Sequence, residues 1–111
     1  ASASSDSRLK SNIVPLENAL SKLASIRGVG FAWNQDAEAV GKTPGALDIG
    51  VIAQEVEQAF PKLVSTDEAG YKRVNYNGLV GVLFAAVAEL NAKVEKLEKP
   101  RAFAAGQSAG R

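Results

Sequence analysis

Between residues 78 and 98, valine and leucine recur in alternating steps of three and four, as Val80, Leu83, Val87, Leu90, Val94 and Leu97. With Val80 at heptad position a, every a is valine and every d is leucine, the seam of a coiled coil. Asn77 is the expected cap of a helix over about 78–98, and Pro100 its expected stop. Glu89 with Lys93 and Glu95 with Lys99 form i,i+4 pairs, and Lys93 at g reaches toward Glu98 at e of a parallel neighbour. Such a stripe either packs on its own domain or meets another copy. For residues 79–88 both readings stand, whereas beyond Glu89 too little chain follows to cover the stripe.

Composition bounds what else the chain can do. Its 111 residues make one domain, and alanine dilutes the 46% hydrophobic content, so the core is small. There is no His and no Cys, which excludes a His-based triad, a thiol nucleophile, a zinc-finger ligand set and a disulfide framework. No cofactor or metal is expected. The formal charge of +1 carries no block of one sign, so neither a nucleic-acid partner nor a membrane surface is expected. The longest apolar run, 79–88, is broken by Gly81 and is about half the roughly 20 residues of a bilayer span.

Ahead of the seam, residues 1–5 read as linker. Pro15, Leu16, Ala19, Leu20 and Leu23 predict a helix over about 15–26, stopped at Gly28. Val29, Phe31 and Trp33 alternate as in a half-buried strand, with Phe31 and Trp33 toward the core. Residues 34–47 form the longest internal loop. Asp48 is the expected cap of a helix near 51–59 that ends at Pro61, with a strand over 49–52 as the alternative. Residues 62–66 and 71–76 form a hairpin about the turn Asp67-Glu68-Ala69-Gly70. The fold class is α+β: a small helix-rich domain with a β-hairpin and a long C-terminal helix. Residues 1–5 are upstream linker, 6–99 the domain and 100–111 a flexible tail.

Few side chains offer chemistry. Ser5 and Lys10 lie five apart with Asp6 and Arg8 between them, and lysine serves as general base to serine only when it is neutral. On spacing alone this is a weak signal in a polar terminus. Asp48, Glu55 and Glu57 read as a solvated face rather than a carboxylate site. Gly41-Lys42-Thr43 is a fragment of a phosphate loop without its leading glycine. Tyr71, Lys72, Arg73 and Tyr76 read as the wet face of a strand before a base-stacking platform.

In order along the chain, SDSRLKSNI (5–13), PLENALSKL (15–23), GVGFAW (28–33), DIGVIAQEVEQAFPKLV (48–64), GYKRVNY (70–76) and the terminal helix resemble the C-terminal intramolecular chaperone domain of phage endosialidases and tail fibres, the S74 peptidase family. The resemblance implies a cassette at the C-terminus of a longer fibre or tailspike protein. It would assemble three chains as a parallel homotrimeric bundle, its partners being other copies and the upstream part of its own chain, and then cut itself free. It also implies an autocatalytic serine endopeptidase with a cut at Ser5-Asp6, Ser5 as nucleophile and Lys10 as base. Arg8 would support them by depressing the lysine pKa or positioning the segment. Assembly would take place in the host cytoplasm, with the parent protein in the virion tail and the released domain absent from the mature particle.

The proposed cut poses a geometric problem: Oγ attack of Ser5 on its own carbonyl would close a four-membered ring. Three routes remain, namely attack on the Ser4 carbonyl through a five-membered ring, attack in trans from a neighbouring chain, or Lys10 assisting a different attack. Valine at a with leucine at d leans toward two strands, so the count of three rests on the resemblance. The competing readings are an assembly cap with an idle Ser5 and Lys10, and a small module binding a nucleotide or glycan through the 34–47 loop and the basic-aromatic hairpin.

Overall fold

The computed structural model describes the backbone of residues 2–109 and the side chains of residues 2–99. A 3-10 turn at Ser7–Leu9 is followed by α1 (Ala19–Leu23), β1 (Val29–Ala32), a 3-10 segment at Gln35–Val40, β2 (Leu47–Gly50), α2 (Ala53–Ala59), a 3-10 turn at Pro61–Leu63, β3 (Val64–Thr66), β4 (Lys72–Val74) and α3 (Tyr76–Ala109). The α+β class is as expected, with two antiparallel two-stranded sheets, β1–β2 and β3–β4.

The second sheet is the main difference from the sequence reading. Leu47–Gly50 pairs with β1, Ala32 opposite Leu47 and Val29 opposite Gly50, so Asp48 sits in a strand instead of capping a helix. It accepts hydrogen bonds from its neighbour's amide, Ile49 N at 2.8 Å, and from Trp33 Nε1 at 3.3 Å. Helix α2 starts later, after Ile52, whose side chain supplies no cap. The 34–47 loop is the connection of this β1–β2 hairpin, closed by Trp33 N to Ala46 O and Gly45 N to Trp33 O. Phe31 and Trp33 share the half-buried face, edge to face at 4.9 Å between centroids. On the opposite face Leu47 and Ile49 are 84% and 83% exposed.

Helix α1 is five residues long, much shorter than 15–26. Asn18 holds a left-handed conformation (φ 59°), which a right-handed helix cannot pass through, so the helix starts after it. The β3–β4 hairpin agrees with the sequence reading. Asp67 Oδ1 accepts from the amides of Ala69 and Tyr71, and Gly70 supplies the positive φ of 92° that turns the chain.

The cap of α3 is Asn75, not Asn77: Asn75 Oδ1 accepts from Gly78 N at 3.0 Å, and its carbonyl from Leu79 N. Nor does the helix end before Pro100, since it runs through Ala109. A proline inside a helix removes one bond to the carbonyl four residues back, and here the Ala-rich sequence after it keeps the helical course.

Two stripes divide α3. Leu79, Val82 and Ala86 are buried against α1, where they meet Ala19, with Leu20, Leu23, Val51, Phe60, Leu63 and Val74 around them. Glu89 continues this stripe: its carboxylate accepts from Leu20 N at 3.0 Å, one of the amides left free at the start of the short α1. The heptad residues Val80, Leu83, Val87, Leu90, Val94 and Leu97 lie one position round the helix and stay 41–74% exposed. The stripe that packs on the domain is therefore not the heptad seam.

Val56 of α2 is the most deeply buried large side chain, and α2 is tied to the end of α1 by Arg27, which donates from its backbone N and guanidinium to Glu55. Those bonds hold the Glu55 carboxyl below the usual carboxylate range. The 34-residue α3 elongates the chain, whose radius of gyration is 20.2 Å against about 13 Å for a compact chain of this length. By length and composition Tyr76–Lys99 would suffice to cross a bilayer. Its apolar side chains are nevertheless sorted into an inward and an outward stripe, with Lys93, Glu95, Lys96, Glu98 and Lys99 among them.

Glu89→Ala removes the cap of α1 and leaves the Leu20 amide without its carboxylate, so stability is expected to fall by about 1–2 kcal/mol. Glu89→Gln, which keeps an acceptor, should lose less. Urea unfolding followed by circular dichroism at fixed protein concentration measures both.

Candidate functional site

Ser5 and Lys10 are brought together. Lys10 Nζ donates to Ser5 Oγ at 2.6 Å, and both side chains are exposed. The 3-10 turn Ser7–Leu9 between them reverses the chain, closed by Leu9 N to the Asp6 carbonyl at 3.0 Å and Lys10 N to the Ser7 carbonyl at 3.2 Å.

Asp6 caps the turn, its Oδ1 accepting from Arg8 N at 2.8 Å. The Arg8 guanidinium closes on the same carboxylate, Nη2 to Oδ2 at 2.9 Å and Nε to Oδ1 at 3.1 Å. These bonds hold the Asp6 carboxyl below its ordinary range and raise that of the guanidinium. The charge of Arg8 is thus engaged by Asp6.

Chemically, a hydroxyl and an amine in contact are the parts of a serine nucleophile with a lysine base. Base action requires the reverse of the polarity seen, with the hydroxyl donating to a neutral amine. Every residue from 2 to 18 is exposed, and the turn rests on its own bonds.

The other candidate groups are dispersed. Glu55 bonds Arg27, Glu57 pairs with Lys72 at 3.0 Å, and Asp48 bonds Trp33. Lys42 lies over the Trp33 ring at 5.2 Å, beside no phosphate loop. With Lys72 paired and the Tyr76 hydroxyl accepting from Val51 N, the basic-aromatic set does not form one open platform. What sequence reasoning missed is the part played by Asp6, which it treated only as the residue after the cut. The signal was an N-cap residue two positions before an arginine.

A profile described as chaperone of endosialidase, Peptidase_S74, matches residues 5–65, from the Ser5 contact into β3. The chain belongs to this family. Its relatives include the Long tail fiber protein Gp37 of Escherichia phage AR1, 38% identical over 87 residues that make up 77% of this chain and 8% of the relative. The Gp37 of Enterobacteria phage K3 is 36% identical over 98 residues, 85% of this chain and 8% of that protein. The Gp37 of Salmonella phage S16 is 33% identical over 99 residues, 86% of this chain and 13% of that protein. The chain thus spans only 8–13% of the length of these relatives.

Proposed function

We propose that this chain is the self-cleaving intramolecular chaperone of a phage tail-fibre or tailspike-type protein: it draws three copies together through α3 and is then released by a cut near Ser5-Asp6. The observation that carries the assembly half is the exposed heptad seam, which the domain's own packing leaves free. Covering it favours association by roughly 5–10 kcal/mol per chain before the entropic costs of binding. Family membership and the tail-fibre relatives support the setting, with parent protein in the virion tail and assembly in the host cytoplasm. In this reading the partner is a parallel homotrimer of the chain itself, with residues 1–5 as upstream linker.

The cleavage half is supported by the Lys10–Ser5 contact. Lys10 as base takes the hydroxyl proton, Ser5 Oγ adds to a carbonyl, the amine leaves with the proton, and water opens the ester. Ring geometry permits Oγ of Ser5 to attack the Ser4 carbonyl within one chain or the Ser5-Asp6 bond of a neighbour. Moving an ammonium out of water favours its neutral form, so packing of a neighbouring copy over the exposed pair would switch the base on. Cleavage would then follow assembly, and loss of the chaperone would make disassembly hard to reverse.

In the full parent protein, wild type should release a fragment of about this domain's mass on a denaturing gel, and Ser5→Ala and Lys10→Ala should not. Mass spectrometry of the new N-terminus separates the routes: Ser5 for attack on the Ser4 carbonyl, Asp6 for attack in trans. A wild type that stays whole leaves a non-cleaving assembly cap. For the association itself, light scattering of this chain should give a concentration-dependent oligomer that Leu90→Asp abolishes. Monomers in both samples would refute the assembly role.

A further inference from the structure

We infer that Asp6 is a positioning residue of the cleavage reaction: its carboxylate folds the turn that returns Lys10 to Ser5. The inference deepens the self-cleavage reading above and rests on it.

Five residues of extended chain span roughly 17 Å, yet Lys10 Nζ reaches Ser5 Oγ at 2.6 Å. The Ser7–Leu9 turn shortens that span, since 3-10 backbone rises only about 2 Å per residue, and the lysine side chain covers the remainder. A turn this short is marginal in water, because fixing its dihedrals costs more than its few backbone bonds return. Tertiary packing is not there to help: residues 2–18 are exposed throughout. The remaining support is Asp6.

Its side chain acts at two points. Oδ1 takes the Arg8 amide, one of the donors that open the turn, while Oδ1 and Oδ2 together hold the guanidinium through Nε and Nη2. The carbonyl of the same residue receives Leu9 N. Asp6 thereby anchors the amine side of the proposed cut, whereas among the described residues the chain upstream of it is held only by Lys10 on the Ser5 hydroxyl. An aspartate is ionised at neutral pH in any case, and the hydrogen bonds from Arg8 lower its carboxyl further below the ordinary range, so cap and clamp both persist there.

This division of labour gives a distinctive ranking. Asparagine caps a turn about as well as aspartate but carries no charge for the clamp, and alanine does neither. Arg8 acts through Asp6, so its loss should matter only while Asp6 is present.

The test follows release of the fragment over time in the full parent protein, with oligomeric state checked by light scattering. Relative to wild type, Asp6→Ala is expected to cleave about tenfold more slowly, Asp6→Asn within about threefold, and Arg8→Gln about threefold more slowly. The double variant Asp6→Ala/Arg8→Gln should be no slower than Asp6→Ala alone, a non-additivity that two independent roles would not give. As a readout free of the chemistry, amide hydrogen exchange at Arg8 and Leu9 in this chain should accelerate in Asp6→Ala and stay near wild type in Asp6→Asn. An Asp6→Ala protein that cleaves at the wild-type rate overturns the inference, as does an Asp6→Asn protein as slow as Asp6→Ala. A wild type that never cleaves removes the self-cleavage reading first, and this inference with it.

Discussion

The structure turns on a one-position offset between two stripes of the same helix. Leu79, Val82, Ala86 and Glu89 face α1 and the β3–β4 side of the domain, while the heptad residues, Val80 to Leu97, face out. Because the domain packs through its own stripe, it leaves the heptad stripe of α3 free. The rest of the molecule follows from this. A core built from Ala19, Leu79, Val82 and Ala86, with Val56 of α2 buried apart from them, is too small to cover further apolar surface. Leu47 and Ile49 on the β1–β2 ribbon, Phe84 on α3 and Ile13 and Val14 in the N-terminal segment therefore also stay in solvent in a single copy.

The candidate site is likewise open, every residue from 2 to 18 being exposed. The Ser7–Leu9 turn brings Ser5 and Lys10 together by local bonds alone, so the contact forms in a lone chain. What a lone chain lacks is cover, and a lysine in water is a poor base. On the account proposed here, geometry is supplied locally and desolvation by neighbours, which ties the chemistry to completed assembly without any moving part. The valine and leucine pattern of the seam does not by itself set three chains, so the proposed trimer requires contacts outside the seam.

Much of this was legible in the sequence. The regular heptad stripe along α3, the β3–β4 hairpin with its Asp67–Gly70 turn, the alternating strand at Phe31 and Trp33, and the family all came from residue pattern. The misreadings have two sources, partners far along the chain and local backbone choices that residue type leaves open. Asp48 is a good cap residue, but Leu47–Gly50 has a strand partner in β1, and long-range pairing is invisible to local spacing. The apolar spacing from Pro15 predicted a longer helix, and the left-handed Asn18 cut it short. Asn75 and Asn77 are equal candidates for a cap by type, and the helix uses Asn75. Glu89 looked like half of an i,i+4 pair with Lys93, but it bonds the Leu20 amide 69 residues away.

The absence of cysteine permits a direct test of the central claim, that the outward stripe is where parallel copies meet. A single Val94→Cys at an a position is compared with Ala92→Cys on another face of the helix, each under mild oxidation. Parallel, in-register association brings the position-94 residues of neighbouring chains together, so Val94→Cys should cross-link rapidly into disulfide-linked pairs while Ala92→Cys remains largely reduced. Equal cross-linking at both positions, or none at 94, would contradict the account.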